Sequence, residues 1–268
     1  MKKRLSIVGL GWFGLELAKA LNNEYDVFGT KRDVSDQQTR IKTLPLTFNP
    51  EPLGTPLSDV FDAELLVLNI PPNSRSQNAE SNYRKIMDVV LDGIALSPIK
   101  RALFVSSTGV FGENEGRVDE ETLPIPSTTG GHILFDAEKR FLSISSCETL
   151  ILRPAGLVGG NRHPAKFLAG RKGVSGPMNP VNLVHREDLI AMTSAILSAE
   201  NVSGRVFHAA AAWHPNKEEY YRTMAAKMNL EIPSFDQNDN STGKKIEAQW
   251  SKEKLGVKFK FEDPFTMI

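Results

Sequence analysis

The sequence predicts an α/β fold in which a doubly wound parallel sheet carries a smaller C-terminal lobe. Three observations point there. Short apolar runs alternate with apolar residues at helical spacing through the first half of the 268 residues, the pattern of strands buried on both faces and joined by crossover helices. Gly9-Leu10-Gly11-Trp12-Phe13-Gly14 falls between the first such run and the first helical pattern. Beyond Arg153 the composition shifts to Pro154, Gly156, Gly159, Gly160, Pro164, Gly170, Gly173, Gly176, Pro177 and Pro180, which reads as loops entering a second lobe.

Taken in order, strands are expected at 4–8, 25–28, 44–48, 65–70, 102–106 and 150–153, and helices at 12–21, 35–42, 79–95 and 132–143. Each crossover is long enough for a right-handed βαβ unit, so a central parallel sheet of six or seven strands follows. Residues 185–199 then read as a helix with Asp188 near its start, and 205–209 as a strand returning to the sheet. The lobes therefore interleave: 1–155, rejoined by 185–209, form the nucleotide-binding domain, and 156–184 with 210–268 form the smaller substrate lobe. Residues 238–245 are polar and turn-rich, a surface loop.

Lys+Arg and Asp+Glu balance at 32 each, so no global field favours nucleic acid or an anionic membrane. The lone cysteine, Cys147, has no disulfide partner and reads as a core thiol. A reducing, cytoplasmic setting fits it, for a monomer or homodimer. Met1-Lys2-Lys3-Arg4 before an apolar run imitates a secretion signal, but Gly9, Gly11, Gly14, Glu16 and Lys19 interrupt the run. The histidines at 132, 163, 185, 208 and 214 show no i, i+4 pairing, so no metal site is expected.

The glycine motif is the chemically informative segment. Between a strand and a helix it makes a Rossmann-type turn whose N–H groups and helix dipole meet a dinucleotide's pyrophosphate. Gly9 allows the tight turn, Gly11 the close phosphate approach, and Gly14 close packing of helix on strand. Trp12 and Phe13 either pack over the cofactor or fill the core. Where an NAD-preferring protein carries a carboxylate at the end of the second strand, this chain reads Thr30-Lys31-Arg32. Two cations and a hydroxyl suit a 2′-phosphate, so NADP is expected over NAD; the other reading is solvated charge at a strand end.

Ser106-Ser107-Thr108-Gly109-Val110-Phe111-Gly112 resembles the SSxxVYG segment of extended short-chain dehydrogenase/reductases, the group of NAD-dependent sugar-nucleotide epimerases and dehydratases. Residues 152–159 (LRPAGLVG), 184–188 (VHRED) and 251–256 (SKEKLG) fall in the same order, so the resemblance spans nearly the whole chain. It implies that Ser107 orients substrate, with Ser106 beside the cofactor and Thr108 beside the substrate. It also implies that the turn Ile70-Pro71-Pro72 flanks the cofactor.

One departure matters. The family's Tyr-x-x-x-Lys pair opens the helix after the serine segment, where the lysine lowers the tyrosine's pKa for acid/base work. Counting back from Glu138, the family's acidic position, places Gly130 at the tyrosine and Leu134 at the lysine. None of the four tyrosines has a lysine four residues later. His132 is the nearest titratable substitute, its other reading being an exposed side chain in the helix's first turn. Arg162 and His163 could meet an anionic, polar substrate at the inter-lobe cleft. Three functions stay open: an NADP-dependent oxidoreductase or epimerase with non-standard acid/base, a non-catalytic NADP(H) sensor, and a scaffold.

Overall fold

Four consecutive apolar or small side chains, Leu5 to Val8, are buried in Arg4–Val8 (β1), and such a strand has nowhere to lie but the middle of a sheet. The structure is a computed structural model that describes residues 1–34, 40–200 and 206–268. In it β1 pairs in parallel with Asp26–Lys31 (β2) on one side. Lys42–Asn49 (β3) and Glu51–Gly54 (β4) follow on that side, and Leu65–Leu68 (β5) pairs with β1 on the other. Arg101–Val105 (β6), Glu148–Pro154 (β8) and Val206–Ala209 (β11) then complete eight strands in the order β11-β8-β6-β5-β1-β2-β3-β4. Every pair is parallel except the β3–β4 hairpin. The chain thus winds outward from β1 in both directions, and the reversal between β1 and β5 opens a crevice at the strands' carboxyl ends.

The helices Gly14–Leu21 (α1), Ala79–Ala95 (α3), Thr129–Leu142 (α4) and Arg186–Ser198 (α6) pack against this sheet, and Leu57–Val60 (α2) packs against α3. Helix α3 shows why: Ala79, Tyr83, Met87, Val90 and Ile94 recur at successive steps of four, four, three and four residues and are its buried residues. The short strands Gly156–Val158 (β9) and Leu183–His185 (β10) pair in parallel, as do Gly116–Val118 (β7) and Lys244–Ile246 (β12). A second apolar cluster joins Val158, Ala165 in Ala165–Leu168 (α5), Leu183, Ala211, Met267 and two residues of Lys217–Lys227 (α7), Tyr220 and Met224.

Several expectations shift. The second strand extends to Lys31, past the expected 28, because Val27 to Thr30 are all buried. Residues 35–39 of the expected helix at 35–42 lie outside the described residues, and Lys42 opens β3 instead. The eighth strand, β4, was not expected, since it is four residues long and contains Pro52; its edge position needs no donor from that proline. The three-residue strands, α7 and Gln249–Leu255 (α8) were also unexpected.

Candidate functional site

The glycine loop is built almost wholly by backbone. Gly9 has φ 108°, and a Cβ there would drive into the Asn69 carbonyl. Gly14 begins α1 so close to the turn that a Cβ would meet the Gly9 carbonyl oxygen, whereas one on Gly11 would meet nothing within 4 Å. Gly11 therefore faces the open space that a phosphate approaching the loop must use. The turn is pinned from both neighbouring strands: Gly9 N donates to Thr30 Oγ1 at 3.1 Å and Leu10 N to the Thr30 carbonyl at 2.7 Å. From β5's end, Asn69 N donates to the Val8 carbonyl at 2.9 Å and Asn69 Nδ2 to the Gly9 carbonyl at 3.3 Å.

Beside the loop lies a cavity of about 710 Å³, lined by Gly9, Gly11, Thr30, Lys31 and Arg32, by Phe48 and Asn49 of β3, and by Ile70, Pro71 and Pro72. It sits at the carboxyl ends of β1, β2 and β5, where ligands of doubly wound sheets bind. A larger cavity, about 870 Å³, opens at the opposite end of the sheet against Met1, Lys3, Lys100 and Glu148, remote from the switch point. The first is the candidate site.

Among the expected cofactor residues, Thr30 is 3% exposed and its Oγ1 accepts from the loop, so it shapes the turn, with its own O–H left to donate. Phe13 takes the core alternative, at 4% exposure. Trp12 is half-buried between two arginines, Arg162 and Arg186. Asp33 lines the same cavity one residue beyond the two cations, so the strand end is not free of carboxylate as the Thr30-Lys31-Arg32 reading implied. Asn69 was missed; its sequence signal is a lone amide closing the apolar run Leu65–Leu68.

Outside the residues that line this cavity, Ser107 caps a 3-10 turn, Thr108–Phe111, with Oγ accepting from Gly109 N at 3.0 Å. That leaves its own O–H to donate. Thr108 is buried and its Oγ1 donates to the Pro154 carbonyl at 3.3 Å, which withdraws it from the substrate role. Ser106 Oγ is buried with no partner. His163 is likewise spent: it is 5% exposed, Nδ1 accepts from Ala165 N at 3.2 Å, and the ring stacks on Tyr220 in the second core.

Helix α4 carries Gly130 and Leu134, the positions at which the resemblance implies tyrosine and lysine. A Cβ at Gly130 would stand 3.3 Å from Ser74 Oγ, so the segment after Pro72 crowds the direction a tyrosine would take. Leu134 is 7% exposed within the main core. His132 is exposed, between buried Gly131 and Ile133. Two residues are about 200° of helix, which turns His132 away from both 130 and 134, so it is not placed to replace the tyrosine. Burial raises the pKa of all four tyrosines, Tyr221 to about 12, so none is tuned toward neutrality. What fixes α4 is Glu138, which accepts from Arg153 Nε at 3.0 Å and Nη2 at 2.7 Å in a buried bidentate pair. Among the described residues no His, Cys, Asp and Glu group could hold a metal ion, and no helix is long and apolar enough to cross a membrane.

The fold has the architecture of the extended short-chain dehydrogenase/reductases, with a glycine loop at the point where the strand order reverses. The chain belongs to the family of protein YeeZ of Escherichia coli K12: it is 33% identical to that protein over a 273-residue alignment covering 99% of this chain and 98% of the relative. No family model matches it. Among solved structures it resembles the UDP-glucuronic acid 4-epimerase of Bacillus cereus in complex with UDP-glucuronic acid and NAD, with a TM-score of 0.79, 16% identity, and 98% and 97% of the two chains covered. A functionally unknown conserved protein from Silicibacter pomeroyi gives 0.77 at 21% identity, covering 99% and 96%. A short-chain dehydrogenase/reductase superfamily protein from Agrobacterium tumefaciens with bound NAD gives 0.75 at 16%, covering 98% and 94%.

Proposed function

We propose that this protein binds NADP(H) in the cavity beside the glycine loop and receives a polar, nucleotide-sugar-like ligand at the cleft facing Ser107. Redox chemistry, if it follows, proceeds without the Tyr–Lys acid/base. The observation that carries this reading is the open space at Gly11, set between glycines whose every other Cβ direction is blocked by backbone. The resemblance to proteins crystallised with NAD and with UDP-glucuronic acid supports the two ligand classes. When bound, the dinucleotide supplies hydride donation or acceptance. The protein's own part is to hold the pyrophosphate on the backbone N–H groups of 9–14 and to meet a 2′-phosphate with Lys31 and Arg32. Ser107 then orients a hydroxyl or carbonyl through its free O–H. The residues 156–184 and 210–268 form the substrate lobe in this reading.

Proton transfer at the reacting carbon is the missing element, and a positioned acid/base is worth about 10² to 10⁴ in rate. Binding is therefore the primary activity, and turnover is slow or relies on a group of the substrate. Calorimetry with NADP and NAD tests the reading: NADP is expected to bind more tightly, and Lys31→Ala with Arg32→Ala to remove most of that preference. Equal affinity for the two dinucleotides in wild type, with Asp33 taking the ribose hydroxyls, would overturn the NADP assignment.

A further inference from the structure

The glycine loop meets two arginines from the far side of the chain. The Arg162 guanidinium lies 5.4 Å from the centre of the Trp12 indole and that of Arg186 lies 4.9 Å from it. Arg186 Nη1 also reaches the Trp12 carbonyl at 3.5 Å. Both side chains are presented on fixed backbone. Gly159 and Arg162 exchange hydrogen bonds of 3.0 and 3.2 Å across a tight turn, in which Gly159 and Gly160 have φ of 131° and 58°. A Cβ on Gly160 would stand 3.1 Å from the Arg186 guanidinium, so the glycine leaves that group its place.

The arrangement is electrostatically incomplete. Arg186 opens α6, where the positive end of the helix disfavours a cation, and it points toward the start of α1, a second positive end. Neighbouring acids are used elsewhere: Glu187 pairs with Lys260 at 3.0 Å, and Asp188 accepts from the Lys260 and Phe261 N–H groups. Among the described residues neither guanidinium forms an ion pair. Two cations held on one indole beside two helix N-termini make a locally positive site that an anion would neutralise.

We propose that Arg162 and Arg186, held on Trp12, form a diphosphate seat that closes over the glycine loop from the lobe side and receives the pyrophosphate of the dinucleotide. This rests on the dinucleotide reading above. Guanidinium forks match phosphate oxygens in pairs, and stacking on the indole orders them before the ligand arrives. The seat also ties the loop at 159–162 and the start of α6 to cofactor occupancy, since both arginines lie outside the glycine-loop half of the chain.

The test titrates wild type, R162Q, R186Q, the double variant and R186K with NADP, adenosine 2′-monophosphate, inorganic pyrophosphate and UDP-glucose. Charge-assisted hydrogen bonds of this kind predict a fall of about 10- to 100-fold in NADP affinity for the double variant, with partial recovery in R186K. Adenosine 2′-monophosphate, which has no diphosphate, should bind as in wild type. Arg162 is exposed, so R162Q keeps the test informative should the double variant fold poorly. Unchanged NADP affinity in well-folded variants overturns the proposal, as does a loss confined to UDP-glucose, which would assign the seat to a second ligand's diphosphate. If wild type binds no NADP, the dinucleotide reading fails by itself, and arginine-dependent pyrophosphate binding would still support the seat.

Discussion

The glycine loop and the start of α4 are built in opposite ways in this chain. The loop's function is written in backbone geometry: a positive φ, two close approaches and one open side. The proton transfer that the resemblance implies on α4 needs a phenol and an ammonium on one helix face, and at the positions matched to them stand a glycine and a buried leucine. Backbone-built binding is thus separable from side-chain-built proton transfer. Helix α4 nonetheless keeps its position, because Glu138 and Arg153 anchor it independently of those two residues.

The largest effect that sharpens this contrast is on that anchor. Glu138→Gln leaves the buried Arg153 charge without its carboxylate and should cost about 3–5 kcal/mol in denaturant unfolding; a loss below 1 kcal/mol would show that α4 is held by other contacts. Acidification comes next. Burial pushes His208 and His214 down to about 4, so the unfolded chain takes up protons first. Their stabilising contribution is complete above about pH 6.5 and is lost as pH falls toward 4, on the order of 3 kcal/mol each. Glu120 and Asp188, raised by burial, offset part of it at the low end. Melting temperatures that stay flat from pH 7 to 4.5 would contradict this.

Within the loop, Gly14→Ala should cost about 1–3 kcal/mol because its Cβ meets backbone. Gly11→Ala should leave the melting temperature unchanged while weakening NADP by about tenfold or more, since only the ligand's side is altered. A Gly11→Ala protein that binds NADP normally would break the assignment of that open side. The smallest effect is expected from restoring the missing pair. Gly130→Tyr with Leu134→Lys should add little turnover, because Ser74 crowds position 130 and position 134 lies in apolar core. A gain of about 100-fold in carbonyl reduction would show that these two positions alone limit the chemistry.

The amino-acid order by itself determined the βαβ start, the tight turn at Gly9, the close packing at Gly14 and the α3 boundaries, because each rests on local periodicity or on residues fixed by spacing along one element. Tertiary structure decided the rest. Thr30 and Thr108 carry hydroxyls that suit ligands in sequence, yet each is buried and bonded to a backbone group from a distant segment. His163 and Arg162 are adjacent in sequence and part company, one into the second core and the other onto Trp12. Arg186 gave no signal of its own beyond a first-turn cation, and its partner lies 174 residues away. Periodicity reports which face of an element is buried; only the packed chain decides which long-range groups meet there, and those meetings decide which polar side chains remain free for a ligand.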